Sequence, residues 1–221
     1  MNLPDNLLDE NWYWAAWAVW MLVFVRSVRR APWFRLRDPE QSNLWLGMIV
    51  LLTLIWSLKA GVKPGLALHL LGATVFTLSF GPHLAFVGLT AVLAGVTLNG
   101  AAGWLGFALN SLIMAGVGVL ASLAVLRISE RLLPPHFFVY VFVNGFFGSA
   151  LTVIGVGSAA CVLFAVTGAY SWDYLVSEYL PYFVLLGFSE AWLSGMVMTL
   201  FVIYRPQWVA TFDDSRYLAG K

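Results

Sequence analysis

The chain has 221 residues, of which 61% are hydrophobic and only 10% charged, with a formal net charge of +1. Soluble domains carry about 25% charged residues, so a water-exposed surface of this size could not be covered; a soluble enzyme, a disordered regulator and a nucleic-acid-binding domain with a basic face are excluded. The single cysteine, Cys161, excludes a disulfide framework and a Cys-rich metal cluster and reads as a small hydrophobe. What remains is an all-α, polytopic membrane helix bundle, since the strand alternation of an outer-membrane barrel is absent.

Charge-free runs mark the spans in chain order. The first runs from about Trp12 to Val25 and is rich in Trp and Tyr; Arg26, Arg29, Arg30, Arg35 and Arg37 follow it. The second covers Leu44 to Leu58, after which Lys59 and Lys63 flank a short turn ending at Pro64. From Pro64 to Leu126 there is no Lys, Arg, Asp or Glu. At about 20 residues per span this run fits three spans, with breaks at Gly81-Pro82 and Asn99-Gly100. A sixth span starts near Phe137, and a seventh covers Leu180 to Tyr204. The spacing predicts an extracellular segment 1–11, a seven-helix bundle 12–204 and a cytoplasmic tail 205–221. Met1 to Trp12 holds Asp5, Asp9 and Glu10 and no Lys or Arg, which does not fit a cleavable signal peptide.

With seven spans and the N-terminus outside, ten basic residues (Arg26, Arg29, Arg30, Arg35, Arg37, Arg127, Arg131, Arg205, Arg216 and Lys221) lie on the cytoplasmic side and two, Lys59 and Lys63, outside. That asymmetry fixes an N-out, C-in topology. Asp5, Asp9, Glu10, Asp173 and Glu178 make the outer rim acidic, either as ordinary topology or as a cation-gathering entrance. Gly72, Gly81, Gly88, Gly95, Gly103, Gly106, Gly116 and Gly118 permit close helix approach.

Ionisable groups inside a membrane are functional candidates. His69 lies in the third span and Glu190 near the middle of the seventh, while His83 and His136 fall at inner turns. A neutral imidazole suits nickel, cobalt, copper or zinc; its alternative is a helix-packing hydrogen bond. Glu190 reads as helix-to-helix glue or a neutral carboxyl, with a proton relay as the functional alternative. Trp12, Trp14, Trp17 and Trp104 read as an interfacial belt or as the lining of a solute pocket. No hydrolytic triad, His-Glu-x-x-His, P-loop or GxGxxG is present, so the chain is not read as an enzyme, and any ATP-driven step needs another subunit.

Four stretches carry a resemblance. Met1-Asn2-Leu3-Pro4-Asp5-Asn6-Leu7-Leu8 is similar to an opening of the form Met-His-Ile-x-Asp/Glu-Gly-Phe-Leu. His69-Leu70-Leu71-Gly72 followed by Phe80-Gly81-Pro82 matches His-x-x-Gly and Phe-Gly-Pro. Gly103-Trp104-Leu105-Gly106-Phe107-Ala108-Leu109-Asn110 resembles a Gly-rich loop ending in Asn, and Ser189-Glu190-Ala191 resembles Ala-Glu-Gly. In this order over nearly the whole chain, they resemble the CbiM/NikM family, the membrane substrate-capture components of energy-coupling-factor cobalt and nickel transporters.

The resemblance implies a bacterial inner-membrane protein working with a transmembrane coupling subunit and ATPase subunits, and Ni or Co as the transported ion with no resident cofactor. It implies that the N-terminus folds back into the bundle, where the terminal amine, the amide and imidazole of residue two and the third-span His form a nearly square-planar nitrogen set. Carried over, Met1 and His69 match. Asn2 stands where the family has His, leaving the amine, the Asn2 amide or side chain and His69, with Asp5 or water as a further ligand. Asn110 is expected to hold the covering loop and Glu190 to support helix packing. The alternatives are capture of a non-metal solute and a non-transport assembly role.

Overall fold

A computed structural model describes residues 3–58, 60–61 and 63–217. An irregular N-terminal arm leads into α1 (Glu10–Arg30), where the Asp9 side chain caps the helix by accepting from the Asn11 N–H at 3.0 Å. Arg29 and Arg30 occupy its last turn, where cations complement the helix dipole. A 3₁₀ turn (Trp33–Arg37) connects to α2 (Pro39–Ser57), which starts with an Asp38 cap and Pro39 at its first position. Then come a two-strand antiparallel pair, β1 (Ala60–Gly61) and β2 (Ala67–Leu68), and α3 (Ala73–Leu98). The rest is α4 (Phe107–Leu132), α5 (Phe137–Val166), α6 (Trp172–Glu178), α7 (Leu180–Tyr204), a 3₁₀ turn (Pro206–Trp208) and α8 (Asp214–Tyr217).

Among the described residues, four helical stretches are long and apolar enough to cross a membrane by length and composition alone: Ala73–Leu98, counted across its break at Gly81, Phe107–Leu132, Phe137–Val166 and Trp172–Tyr204. The chain is therefore an all-α, multi-pass membrane bundle. α1 and α2, of 21 and 19 residues, reach about 30 Å at 1.5 Å per residue. They are less apolar because α1 is rich in Trp and Tyr and α2 opens on a polar turn.

The third stretch departs from the expected helix. Residues 69–72 are non-helical, so His69 stands on an irregular segment rather than on a helix face. The cause is local: Gly65 and Gly72 take left-handed φ values of 77° and 67°, which favour glycine and interrupt helical hydrogen bonding. α3 begins only at Ala73 and breaks again at Gly81, with φ 76° and ψ 169°, directly before Pro82. This break reverses the chain. A Cβ at Gly88 would lie 2.6 Å from the Phe76 ring, whereas a straight helix would hold those residues about 18 Å apart. Residues 73–80 are thus a half-helix folded against residues 82–98, both packed on α2 through Leu52 at Gly72, Trp45 at Gly88 and Thr53 at Gly95.

Small residues set the other close approaches. A Cβ at Gly157 would strike the Phe183 ring and one at Gly195 the Phe146 ring, which brings α5 and α7 together. Gly116, by contrast, has room for a Cβ. Wide π-helical turns interrupt α4 at Leu112–Val117 and α5 at Tyr140–Phe147. Between these helices the Ser129 hydroxyl donates to Asn144 Oδ1 at 2.7 Å.

Candidate functional site

The N-terminal arm is built into the bundle by three anchors. Asn110, fully buried on α4, accepts from the Leu3 N–H at 2.8 Å and donates from Nδ2 to the Leu3 carbonyl at 3.0 Å. One carboxamide thus satisfies both backbone groups of a buried residue, as a neighbouring strand would. Asp5 Oδ1 accepts from the Gly106 N–H at 2.7 Å. The Tyr13 hydroxyl donates to the Pro4 carbonyl at 2.6 Å, and its oxygen accepts from the Leu8 N–H at 3.2 Å. Gly103 and Gly106 make space for the arm: a Cβ at Gly103 would overlap the Asp5 carboxylate, and one at Gly106 would lie 2.9 Å from the Leu3 carbonyl oxygen. Met1 and Asn2 lie outside the described residues.

His69 is buried and packs on Trp56, itself fully buried, with ring centroids 5.0 Å apart. Its Nδ1 lies 3.0 Å from the Leu70 carbonyl oxygen. A carbonyl can only accept, so Nδ1 carries the proton, and in the neutral imidazole Nε2 then carries the lone pair. That is the tautomer in which the far nitrogen serves as a metal ligand, with ring orientation fixed by the near one.

Glu190 reaches the same segment from α7. Its Oε2 accepts from the Leu71 N–H at 2.8 Å and its Oε1 from the Gly72 N–H at 2.7 Å. The Ser194 hydroxyl donates to Oε1 at 3.3 Å, and Ser149 Oγ donates to the Glu190 backbone carbonyl at 3.2 Å. The carboxyl therefore sits at the N-terminus of the half-helix, where negative charge is favoured. Trp56 Nε1 holds the other side of the segment through the Leu71 carbonyl at 3.2 Å.

Asn110 and Asp5 thus meet on the arm, while His69 and Glu190 meet on residues 69–72. No group of three or more His, Cys, Asp or Glu residues is placed to hold a metal among the described residues. Trp12, Trp14 and Trp104 are exposed, and none of them, nor Trp17, lines the apolar cavity of about 510 Å³ between α2 and α7. Trp17 donates to the Leu105 carbonyl. Cys161 is buried in the core. His136 caps α5 by accepting from the Phe138 N–H.

Tyr13 and Trp56 were not singled out from the sequence as parts of this arrangement, whereas Gly103 and Gly106 stood in the Gly-rich stretch that ends at Asn110. Trp56 carried one usable signal, since it falls inside the apolar run of α2 with its neighbours Ile55 and Leu54 rather than in a polar rim.

The fold and this arrangement define a multi-pass membrane protein whose N-terminal arm is buried in its own helix bundle. The sequence matches the CbiM family model, described as the cobalt uptake substrate-specific transmembrane region, over residues 2–208, and the chain belongs to that family. It is the substrate-specific membrane component of a transition-metal uptake transporter. The fold is similar to a crystal structure of a truncated transition metal transporter, with a TM-score of 0.72 at 18% identity over 92% of this chain and 99% of that one. It is also similar to a structure of a transition metal transporter, with a TM-score of 0.68 at 18% identity, covering 90% and 91%. No match was found among curated proteins.

Proposed function

We propose that the chain captures a divalent transition-metal ion, Ni(II) or Co(II), at a site formed by Met1, Asn2 and His69, for import driven by separate subunits. The observation that carries this reading is the double hydrogen bond between Asn110 and Leu3, buried inside the bundle. It fixes the backbone immediately before which Met1 and Asn2 are joined. The His69 tautomer described above supplies an imidazole nitrogen of the right kind. Nitrogen donors of this type suit Ni(II), Cu(II) and Co(II), and Asn2 in place of His makes the donor set poorer in imidazole. Asp5 and Asn110 act as supports for the arm and Glu190 as a support for the His69 segment.

A reading of seven passes with the N-terminus outside is supported by the reversal at Gly81, which would make the run up to residue 80 and residues 82–98 separate passes, and by the ten-to-two distribution of basic residues. The layout is then an outer segment 1–11, a bundle 12–204 and an inner tail 205–221, in a bacterial inner membrane. The chain holds no P-loop, so energy comes from ATPase subunits through a transmembrane coupling subunit. It binds and hands over an ion and does no covalent chemistry.

The test is metal content. The protein is purified in detergent with its own N-terminus and incubated with Ni(II), Co(II), Cu(II) or Zn(II) in turn. Bound metal is then measured by mass spectrometry beside His69→Ala. One ion per chain, lost in the variant, is the expected result. No metal on either protein would end the metal reading.

A further inference from the structure

We propose that Glu190 is a positioning residue for the capture site: from α7 it fixes residues 69–72 and so sets the orientation of the His69 ring. This rests on the reading of His69 as a ligand. The half-helix of residues 73–80 has no side-chain cap of its own; its N-terminal neighbour, Gly72, has no side chain and a left-handed φ of 67°. The unpaired N–H groups expected at a helix start are instead met from another element. Both Glu190 oxygens are engaged, one by Leu71 and one by Gly72, across 119 and 118 residues of sequence.

Three features make this a positioning contact rather than ordinary packing. First, Leu71 is the second residue after His69, and its N–H is held by Glu190 while its carbonyl is held by Trp56 Nε1. The backbone leaving His69 is thereby clamped from both sides. Second, the same Trp56 ring packs against the imidazole, so one element holds both the ring and the irregular segment that bears it. Third, Glu190 is 3% exposed and anchored through its own backbone carbonyl to Ser149 on α5. Its carboxyl therefore comes from a fixed framework of two helices.

The adjoining cavity does not offer Glu190 another role as an ion path. Of its lining residues only Asn43, Glu190 and Ser194 are polar apart from the glycines. Divalent ions need several oxygen or nitrogen donors, and both Glu190 oxygens already accept from backbone N–H groups.

The test uses Glu190→Gln in the full chain with its native N-terminus. Gln keeps one carbonyl acceptor and turns an N–H₂ group toward a backbone N–H, so one clamp bond is lost. Two readouts are taken on the folded protein: affinity and visible absorption with Ni(II) or Cu(II) alone, and the ¹⁵N-labelled His69 imidazole resonance without metal. Loss of an outer support typically weakens metal binding about 10–100-fold. The expected result is a loss in that range, a shifted ligand-field band and a moved His69 resonance. In a His69→Ala background the Glu190 substitution should add nothing to the metal defect.

Unchanged affinity, band and resonance in Glu190→Gln overturn the proposal while leaving metal capture standing. A wild-type chain that takes no metal but whose His69 resonance moves in Glu190→Gln overturns metal capture and keeps the positioning contact. Weaker folding with an unchanged band and resonance would mark Glu190 as structural only, and also overturns the proposal. If Glu190→Gln does not fold, Ser194→Ala serves in its place. It removes only the hydroxyl donor to Oε1 and should give a smaller shift of the same sign, with no shift overturning the proposal.

Discussion

The two ends of the chain are both tied into the bundle, but by different chemistry. The N-terminal arm is held by side chains reaching to its backbone: Asn110 at Leu3, Tyr13 at Pro4 and Leu8, and the arm's own Asp5 at Gly106. The C-terminal tail has side-chain contacts too, among them Gln41 Nε2 donating to the Gln207 carbonyl at 2.7 Å and Arg216 paired with Glu130 at 2.7 Å, but it adds direct backbone-to-backbone pairing. The Ala210 and Thr211 N–H groups donate to the Ser79 and Leu78 carbonyls at 2.9 and 3.2 Å, and Thr211 Oγ1 donates to Leu78 at 2.9 Å. Those carbonyls end the half-helix, so the tail supplies the donors that they lack there. Side-chain anchors fix a segment at one register, because each depends on one residue type in one rotamer. Backbone pairing tolerates substitution. An arm that presents specific groups needs the first kind of attachment, whereas a tail that closes a helix end can also use the second.

The largest effect is expected at the arm. Extending the chain by one residue before Met1, which displaces the terminal amine, should abolish metal retention as fully as His69→Ala, with a near-unchanged melting temperature. Retained metal in the extended protein would mean that the amine is no ligand.

Asn110→Ala should come next. It leaves the buried Leu3 N–H and carbonyl without partners, at about 1–3 kcal/mol for each unsatisfied group. Both thermal stability in detergent and metal affinity should fall. Asn110→Asp, which keeps the acceptor and loses the donor, should fall between wild type and Ala. Gly103→Ala attacks the same region by sterics, because its Cβ would overlap the Asp5 carboxylate. It should lower metal affinity more than stability, which separates arm position from bundle integrity.

The tail should respond less. Thr211→Val keeps the shape and the backbone bonds but loses a hydroxyl that donates to Leu78 and pairs with the Tyr140 hydroxyl at 2.7 Å. A loss of about 0.5–1.5 kcal/mol is expected, with metal affinity unchanged. A drop in metal affinity would show that the two ends communicate through the half-helix, and the comparison would need to be redrawn.

The smallest effect is a pH dependence at the tail. Hydrogen bonds from the Ser215 hydroxyl and N–H hold the exposed Asp213 carboxyl below its ordinary range. Its support of α8 is therefore fully present above the unfolded carboxyl range and fades as pH falls through the depressed folded value. Protease sensitivity of the tail should rise slightly at acid pH in wild type and be pH-independent in Asp213→Ala.

Much of the bundle was legible because membrane spans obey one-dimensional rules. Charge-free length located α4, α5 and α7, and the α7 bounds of Leu180–Tyr204 coincide with the apolar run. Gly81-Pro82 and Asn99-Gly100 were both found as breaks, with left-handed glycines at Gly81 and Gly100. The irregular segment before Ala73 was not legible. Its residues are as apolar as those of a helix, and nothing local says that their backbone groups will be met by Glu190 and Trp56.

The candidate residues divide in the same way. Residue type brought forward His69 and Glu190, because ionisable groups are conspicuous in an apolar chain, and the family resemblance added Met1, Asn2, Asp5 and Asn110. The sequence by itself determined that the chain is a multi-pass membrane bundle with few polar positions, since burial in lipid leaves composition little freedom. Which of those positions meet is set by the packing of the helices. The Asn110–Leu3 and Glu190–Leu71 contacts span 107 and 119 residues. Such pairs depend on how the helices pack, which local periodicity does not encode.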